Sequence, residues 1–116
     1  EGEAWKDVSH KDNGALIVKE VYFNDEETVL RLASKHYAEG MTITEKSCLV
    51  DEDGNQYRFK RVVTGNVNGN NGPEARVFGA YFAFEPMPKD TKVFSFEDHG
   101  LVIERIRKAK KGKIIY

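Results

Sequence analysis

The side chains able to act as ligands, bases or nucleophiles are few and scattered in this sequence. His10, His36 and His99 have no HxxxH spacing and no flanking thiol, so a zinc site would need distant parts of the chain to converge. His99 follows Glu97 and Asp98, a trio that could supply acid–base chemistry to a small hydrolase. The nucleophile is the missing part: no GxSxG elbow occurs, and Ser9, Ser34, Ser47 and Ser95 stand in undistinguished contexts. Cys48 is the single cysteine, which excludes an internal disulfide and CxxC redox chemistry; within Cys48-Leu49-Val50 it reads as a small buried hydrophobe. Asp51, Asp53 and Asn55 alternate as calcium ligands do, but Gln56 and Val62 stand where an EF-hand loop needs Gly and Glu. A hairpin turn is the better reading. The glycines of 65–72 are followed by no Lys-Ser/Thr and no helix, so they do not form a phosphate-binding loop. No catalytic residue, cofactor or metal is expected.

Two surface features could instead recognise a partner. Residues 101–116 hold six Lys and Arg against one acid, Glu104, a net +5 that leaves the first hundred residues at −6. Arg105, Arg107 and Lys108 are the candidates at this basic end, but no aromatic residues interleave with them as a nucleic-acid stacking platform would require, and nucleic acid is not the expected ligand. Tyr22 and Tyr81 fall on the faces opposite the apolar residues of their segments, and with Tyr37 they form a candidate peptide- or carbohydrate-contacting patch. Phe78, Phe82, Phe84, Phe94 and Phe96 alternate within strand-like runs and belong to the core rather than to a sugar platform.

These residues are carried by 116 amino acids, enough for one domain with one hydrophobic core. A net charge of −1 excludes a uniformly basic nucleic-acid binder, and 40% hydrophobic residues exclude intrinsic disorder. No apolar run approaches the ~18 residues needed to span a bilayer. The chain opens Glu1-Gly2-Glu3 without an initiating Met, and is expected to be a piece of a longer protein.

Residues 1–14 are polar and predicted to form an arm, with Trp5 able to dock on the core. A strand is predicted over Ala15–Phe23, with Ile17, Val21 and Phe23 on one face. Thr28–Gly40 is ambiguous: Leu30, Ala33 and Tyr37 keep helical spacing, whereas Thr28, Leu30 and Leu32 alternate with Val29, Arg31 and Ala33 as in a strand. The other signals are β. Met41–Thr44, Cys48–Val50, Gln56–Thr64, Arg76–Glu85, Lys92–Glu97 and Leu101–Ile106 are extended, with Asp53-Gly54 as a turn and Pro86-Met87-Pro88 as a strand end. Gly65–Pro73 reads as a long polar loop.

From Glu27 to Ile106 the order of these signals resembles small immunoglobulin-like β-sandwich domains of secreted and lipoprotein-type Bacteroidetes proteins, often found N-terminal to a thioredoxin-like domain. The residues are Thr28-Val29-Leu30 after an acidic turn, Asp53-Gly54 followed by Tyr57, Phe82-Ala83-Phe84-Glu85-Pro86-Met87-Pro88 with Thr91, and Phe94-Ser95-Phe96-Glu97 with Gly100. The resemblance implies that 28–37 is a strand. It also implies an accessory module without catalytic residues, working outside the cytoplasm at the periplasm or cell surface. This chain departs from the pattern at the Asn/Gly-rich loop 65–73 and at His99-Gly100-Leu101, where an aromatic is replaced. The expected fold is therefore all-β, an immunoglobulin-like antiparallel β-sandwich of seven to eight strands over 15–108, with 109–116 a basic end or linker. The expected function is a non-enzymatic binding or spacer module for a protein partner or adjacent domain, with carbohydrate binding through the tyrosines as the alternative and a hydrolase behind it.

Overall fold

The computed structural model describes residues 3–35, 41–68 and 74–110, with side chains at all of these except 41–42 and 64–79. Ten strands and no helix are formed among them: β1 (Glu3–Trp5), β2 (Val8–Ser9), β3 (Leu16–Phe23), β4 (Thr28–Ser34), β5 (Met41–Thr44), β6 (Cys48–Asp51), β7 (Gln56–Asn68), β8 (Glu74–Phe84), β9 (Val93–Asp98) and β10 (Leu101–Lys108). Every pairing is antiparallel.

The ambiguous segment is a strand from Thr28 to Ser34, with Thr28, Leu30, Leu32 and Ser34 inward and Val29, Arg31 and Ala33 outward. Tertiary pairing overrides its helical signal, because β4 is laddered on both sides, to β3 and to β8. Lys35 follows as a bend, and residues 36–37, with Tyr37, lie outside the described residues.

All-β and antiparallel hold, but the strands do not divide into two separate sheets. They follow one path, β1-β3-β4-β8-β7-β6-β9-β10-β2, with β5 also on β8, so the sheet is nearly closed into a barrel. β7 carries the sheet from one half to the other: Gln56–Arg58 pairs with β6, and the stretch from Phe59 pairs with β8 through three register shifts. The expected N-terminal arm makes the second junction. Glu3–Trp5 pairs with Val21–Phe23, and only two residues later Val8–Ser9 pairs with Arg107–Lys108 at the opposite end of the path. Asp7 C=O accepts from Ala109 N–H at 2.9 Å, and Lys11 N–H donates to Glu104 C=O at 2.9 Å, which fastens the same junction. Far from lying ahead of the domain, this segment bridges its two edges.

Two β-bulges decide which side chains enter the interior. In β3 the register shifts between Val18 and Glu20, so the inward set is Leu16, Val18, Val21 and Phe23, and Ile17, expected inside, faces out. In β10 it shifts between Ile103 and Ile106; both isoleucines are buried, and Glu104 and Arg105 between them are exposed. Arg105 takes φ 59 there, a left-handed conformation uncommon for a non-glycine residue.

Aromatic rings fill the interior. Trp5, only 3% exposed, lies 5.0 Å from Phe23 and 5.8 Å from Phe94 between ring centroids, joining β3 to β9 across the core. Phe59 meets Phe82 at 6.5 Å and Phe84 at 5.8 Å, and Phe84 meets Phe96 edge-on at 6.1 Å. Phe82, Phe84, Phe94 and Phe96 are thus core residues, while the Phe78 side chain lies outside the described set. Met87, held by its N–H donating to Thr28 Oγ1 at 2.8 Å, is buried with the core, so the Pro86–Pro88 loop folds inward.

Candidate functional site

Pairing across β1, β3, β4 and β8 brings together on one outer face residues that the sequence keeps far apart. Ala4 opposes Tyr22, Glu20 opposes Arg31, and Arg31 opposes Tyr81. The bulge in β3 leaves both Glu20 and Tyr22 on the outward side, half-buried. The rings of Tyr22 and Tyr81 stand 6.3 Å apart between centroids and tilt 49° to each other. Arg31 lies over the Tyr81 ring, its guanidinium carbon 5.9 Å from the centroid, and Lys6 Nζ lies 4.7 Å from the Tyr22 centroid.

A single polar relay joins Lys6, Tyr22, Glu20 and Arg31, and Tyr81 meets it only through its ring contacts. Lys6 Nζ donates to Tyr22 Oη at 3.0 Å, Tyr22 Oη donates to Glu20 Oε1, and Arg31 Nη1 donates to Glu20 Oε2 at 3.2 Å. Burial by itself would raise the Glu20 carboxyl, but the Tyr22 hydroxyl and the Arg31 and Lys6 charges outweigh it and hold it below the ordinary value. The bond to Glu20 keeps the Tyr22 phenol protonated above its usual range, against the opposing effect of Lys6. The outcome is a pair of fixed aromatic faces bordered by two cations and one ionised carboxylate. Sequence reasoning found Tyr22 and Tyr81 but missed Lys6, Glu20 and Arg31. Their proximity comes from strand register, and only the alternation of Arg31 with Leu30 and Leu32 hinted at its outward placement.

Arg105, Arg107 and Lys108 form a second, separate group on β10, all exposed. No hydrogen bond, ion pair or ring contact among the described residues joins them to the tyrosine face. Ser9, His10, Lys11, Glu104, Arg105 and Arg107 line a shallow depression of about 350 Å³.

The other candidates resolve into structural roles. His10 is 4% exposed and spans the barrel junction: Val18 N–H donates to its Nε2 at 3.1 Å, while Nδ1 lies 2.9 Å from Lys11 C=O. Acceptance at Nε2 assigns the proton to Nδ1, and burial pulls the imidazole below its ordinary pKa. His99 sits with Gly100 in the two-residue turn between β9 and β10, at φ 47 and 86, the pattern of a type I′ hairpin. Its neighbour Asp98 turns inward, accepting from Thr44 N–H at 2.9 Å and Thr44 Oγ1 at 2.7 Å, so this carboxylate is engaged with Thr44 rather than with His99. The Asp51 carboxylate accepts from Asp53 N–H, Asn55 N–H, Asn55 Nδ2 and Tyr57 Oη, which occupies the lone pairs a calcium ion would need. Burial, and then this carboxylate, push the Tyr57 phenol up to about 12. Cys48 is half-buried, and burial followed by Glu97 raises its thiol, which disfavours the reactive thiolate. Among the described residues no group of three or more His, Cys, Asp or Glu is placed to hold a metal ion, and no helix is long and apolar enough to cross a membrane.

No protein-family model, curated protein or solved structure matches the chain.

Proposed function

We propose that this chain is a non-enzymatic binding module, an accessory domain of an exported bacterial protein, whose face around Tyr22 and Tyr81 receives a segment of a protein partner. One observation carries this reading: the Lys6–Tyr22–Glu20–Arg31 relay fixes the Tyr22 ring and Arg31, and the half-buried Tyr81 ring packs beside both. Tyrosine and arginine are enriched among the hot-spot residues of protein interfaces, and side chains already ordered lose little conformational entropy on binding. The 49° tilt between the rings offers no flat platform to a sugar, which favours a peptide over a carbohydrate. The exported setting and the immunoglobulin-like assignment are supported by the sequence pattern from Glu27 to Ile106 alone. The strand order supports the coarser all-β reading.

Selection of a displayed random-peptide library on the full chain tests the proposal, with counter-screening against Tyr22→Ala and Tyr81→Ala. Peptides that bind the chain and weaken about tenfold or more with either variant are expected. Recovered binders indifferent to both substitutions overturn it, and so does a glycan array bound through the same tyrosines.

A further inference from the structure

The charges of this protein are unevenly neutralised. Arg31 pairs with Glu20 at 3.2 Å, Arg61 with Glu27 at 2.8 Å, Lys35 with Asp12 at 2.5 Å and Lys89 with Asp25 at 2.8 Å. On β10, by contrast, Arg105, Arg107 and Lys108 have no carboxylate partner among the described residues. Lys11 and Glu104 face each other at 4.0 Å across the same depression, both more than half exposed. The bulge gathers this charge. With Ile103 inward, strict alternation would turn Arg105 and Arg107 into the core; the extra residue returns Ile106 to the interior and sends both arginines out.

Arg105 adopts its left-handed conformation at a bulge, where glycine or asparagine would be accommodated at lower cost. Among the described residues the exposed Arg105 side chain has no hydrogen bond, ion pair or ring contact that would offset the strain. A long guanidinium side chain kept at such a position, beside a second unpaired one and lining a depression with Ser9, His10 and Lys11, has the composition of an oxyanion site. We propose that the depression between β2 and β10 binds a phosphate or sulfate group, held by Arg105 and Arg107 with Lys11 at its edge. Glu104 opposes any anion in the same depression, so the two guanidinium groups, and not the net field, carry the binding. The site is distinct from the tyrosine face and does not depend on it.

The test is a titration of the full chain with sodium phosphate at low ionic strength, against sodium chloride of matched ionic strength, followed by amide shifts of Ser9–Lys11 and Glu104–Arg107. Saturable shifts confined to these residues, with phosphate only, are expected. Arg105→Asn and Arg107→Gln should each weaken the affinity about tenfold, and Lys46→Gln, an exposed lysine of the β5–β6 turn, should leave it unchanged. Arg105→Asn should also be at least as resistant to urea as the parent chain, because asparagine suits the left-handed backbone. Phosphatidylglycerol vesicles compared with phosphatidylcholine vesicles separate the sources: retention on the former assigns a lipid headgroup, its absence a free oxyanion. Equal shifts with chloride, shifts spread over all lysines and arginines, or equal losses in Lys46→Gln and Arg105→Asn overturn the site. An Arg105→Asn chain less stable than the parent overturns the argument that the strain is retained for a ligand.

Discussion

Acidification should weaken the barrel junction through His10, and the effect can be sized from its two hydrogen bonds and its burial. The imidazole is held neutral by burial first; Asp12 nearby favours the charged form and Lys35 opposes it, and the folded pKa lies below the ordinary value of about 6.5. On lowering the pH the unfolded chain therefore takes up the proton before the folded one. His10's contribution is fully present above about pH 6.5 and is lost as pH falls below it, at a rate no steeper than one proton allows, about 1.4 kcal/mol per pH unit. Protonation must also break the bond in which Nε2 accepts from Val18 N–H. Lys11, Glu104, Arg105 and Arg107 line the same depression as His10, but their charges are exposed and screened. His10→Ala strands the Val18 N–H and removes the partner of Lys11 C=O, a loss of about 2–4 kcal/mol. His10→Gln keeps a neutral acceptor and cannot titrate. Urea unfolding of the parent and His10→Gln between pH 5.5 and 8.5 is the assay; this window lies above the carboxylate range, and His36 and His99 are present in both proteins and cancel. The parent should lose stability relative to His10→Gln as pH falls through 6.5. Parallel profiles across the window, or a His10 ring that titrates like a free imidazole by NMR, would refute the assignment.

Ser47 is 1% exposed and its Oγ has no hydrogen-bond partner among the described residues. Ser47→Ala should therefore stabilise the chain by about 1 kcal/mol, seen as a higher urea midpoint at unchanged slope. Trp5→Ala removes the ring that joins Phe23 to Phe94 and should cost about 3–5 kcal/mol by the same measurement. A loss below 1 kcal/mol would mean that the N-terminal segment is not an integral part of the barrel.

Much of the β structure was legible because alternation is a local property. Thr28–Leu32 and Ala80–Phe84 show their inward residues at every second position, and proline ends the second of them where a ladder donor is missing. The bulges were not read, although the three-residue spacing of Ile103 and Ile106 was a visible signal of one. For Ile17 that omission reversed the inward and outward assignments. The site was legible only in part. Tyr22 and Tyr81 could be placed on an outward face, but their meeting depends on β4 lying between β3 and β8.

By itself, the sequence determined the all-β character, the aromatic core and the concentration of positive charge near the end, since each follows from residue type and near-neighbour spacing. Tertiary structure decided the rest. A polar segment beginning at Glu3 became the bridge between β3 and β10, because the open edges of a sheet have backbone donors and acceptors that must find partners, and this stretch reaches both. The same requirement assigned His10 its neutral tautomer. Strand register, which no local pattern specifies across distant segments, set Glu20 between Tyr22 and Arg31 and so built the face on which recognition is proposed.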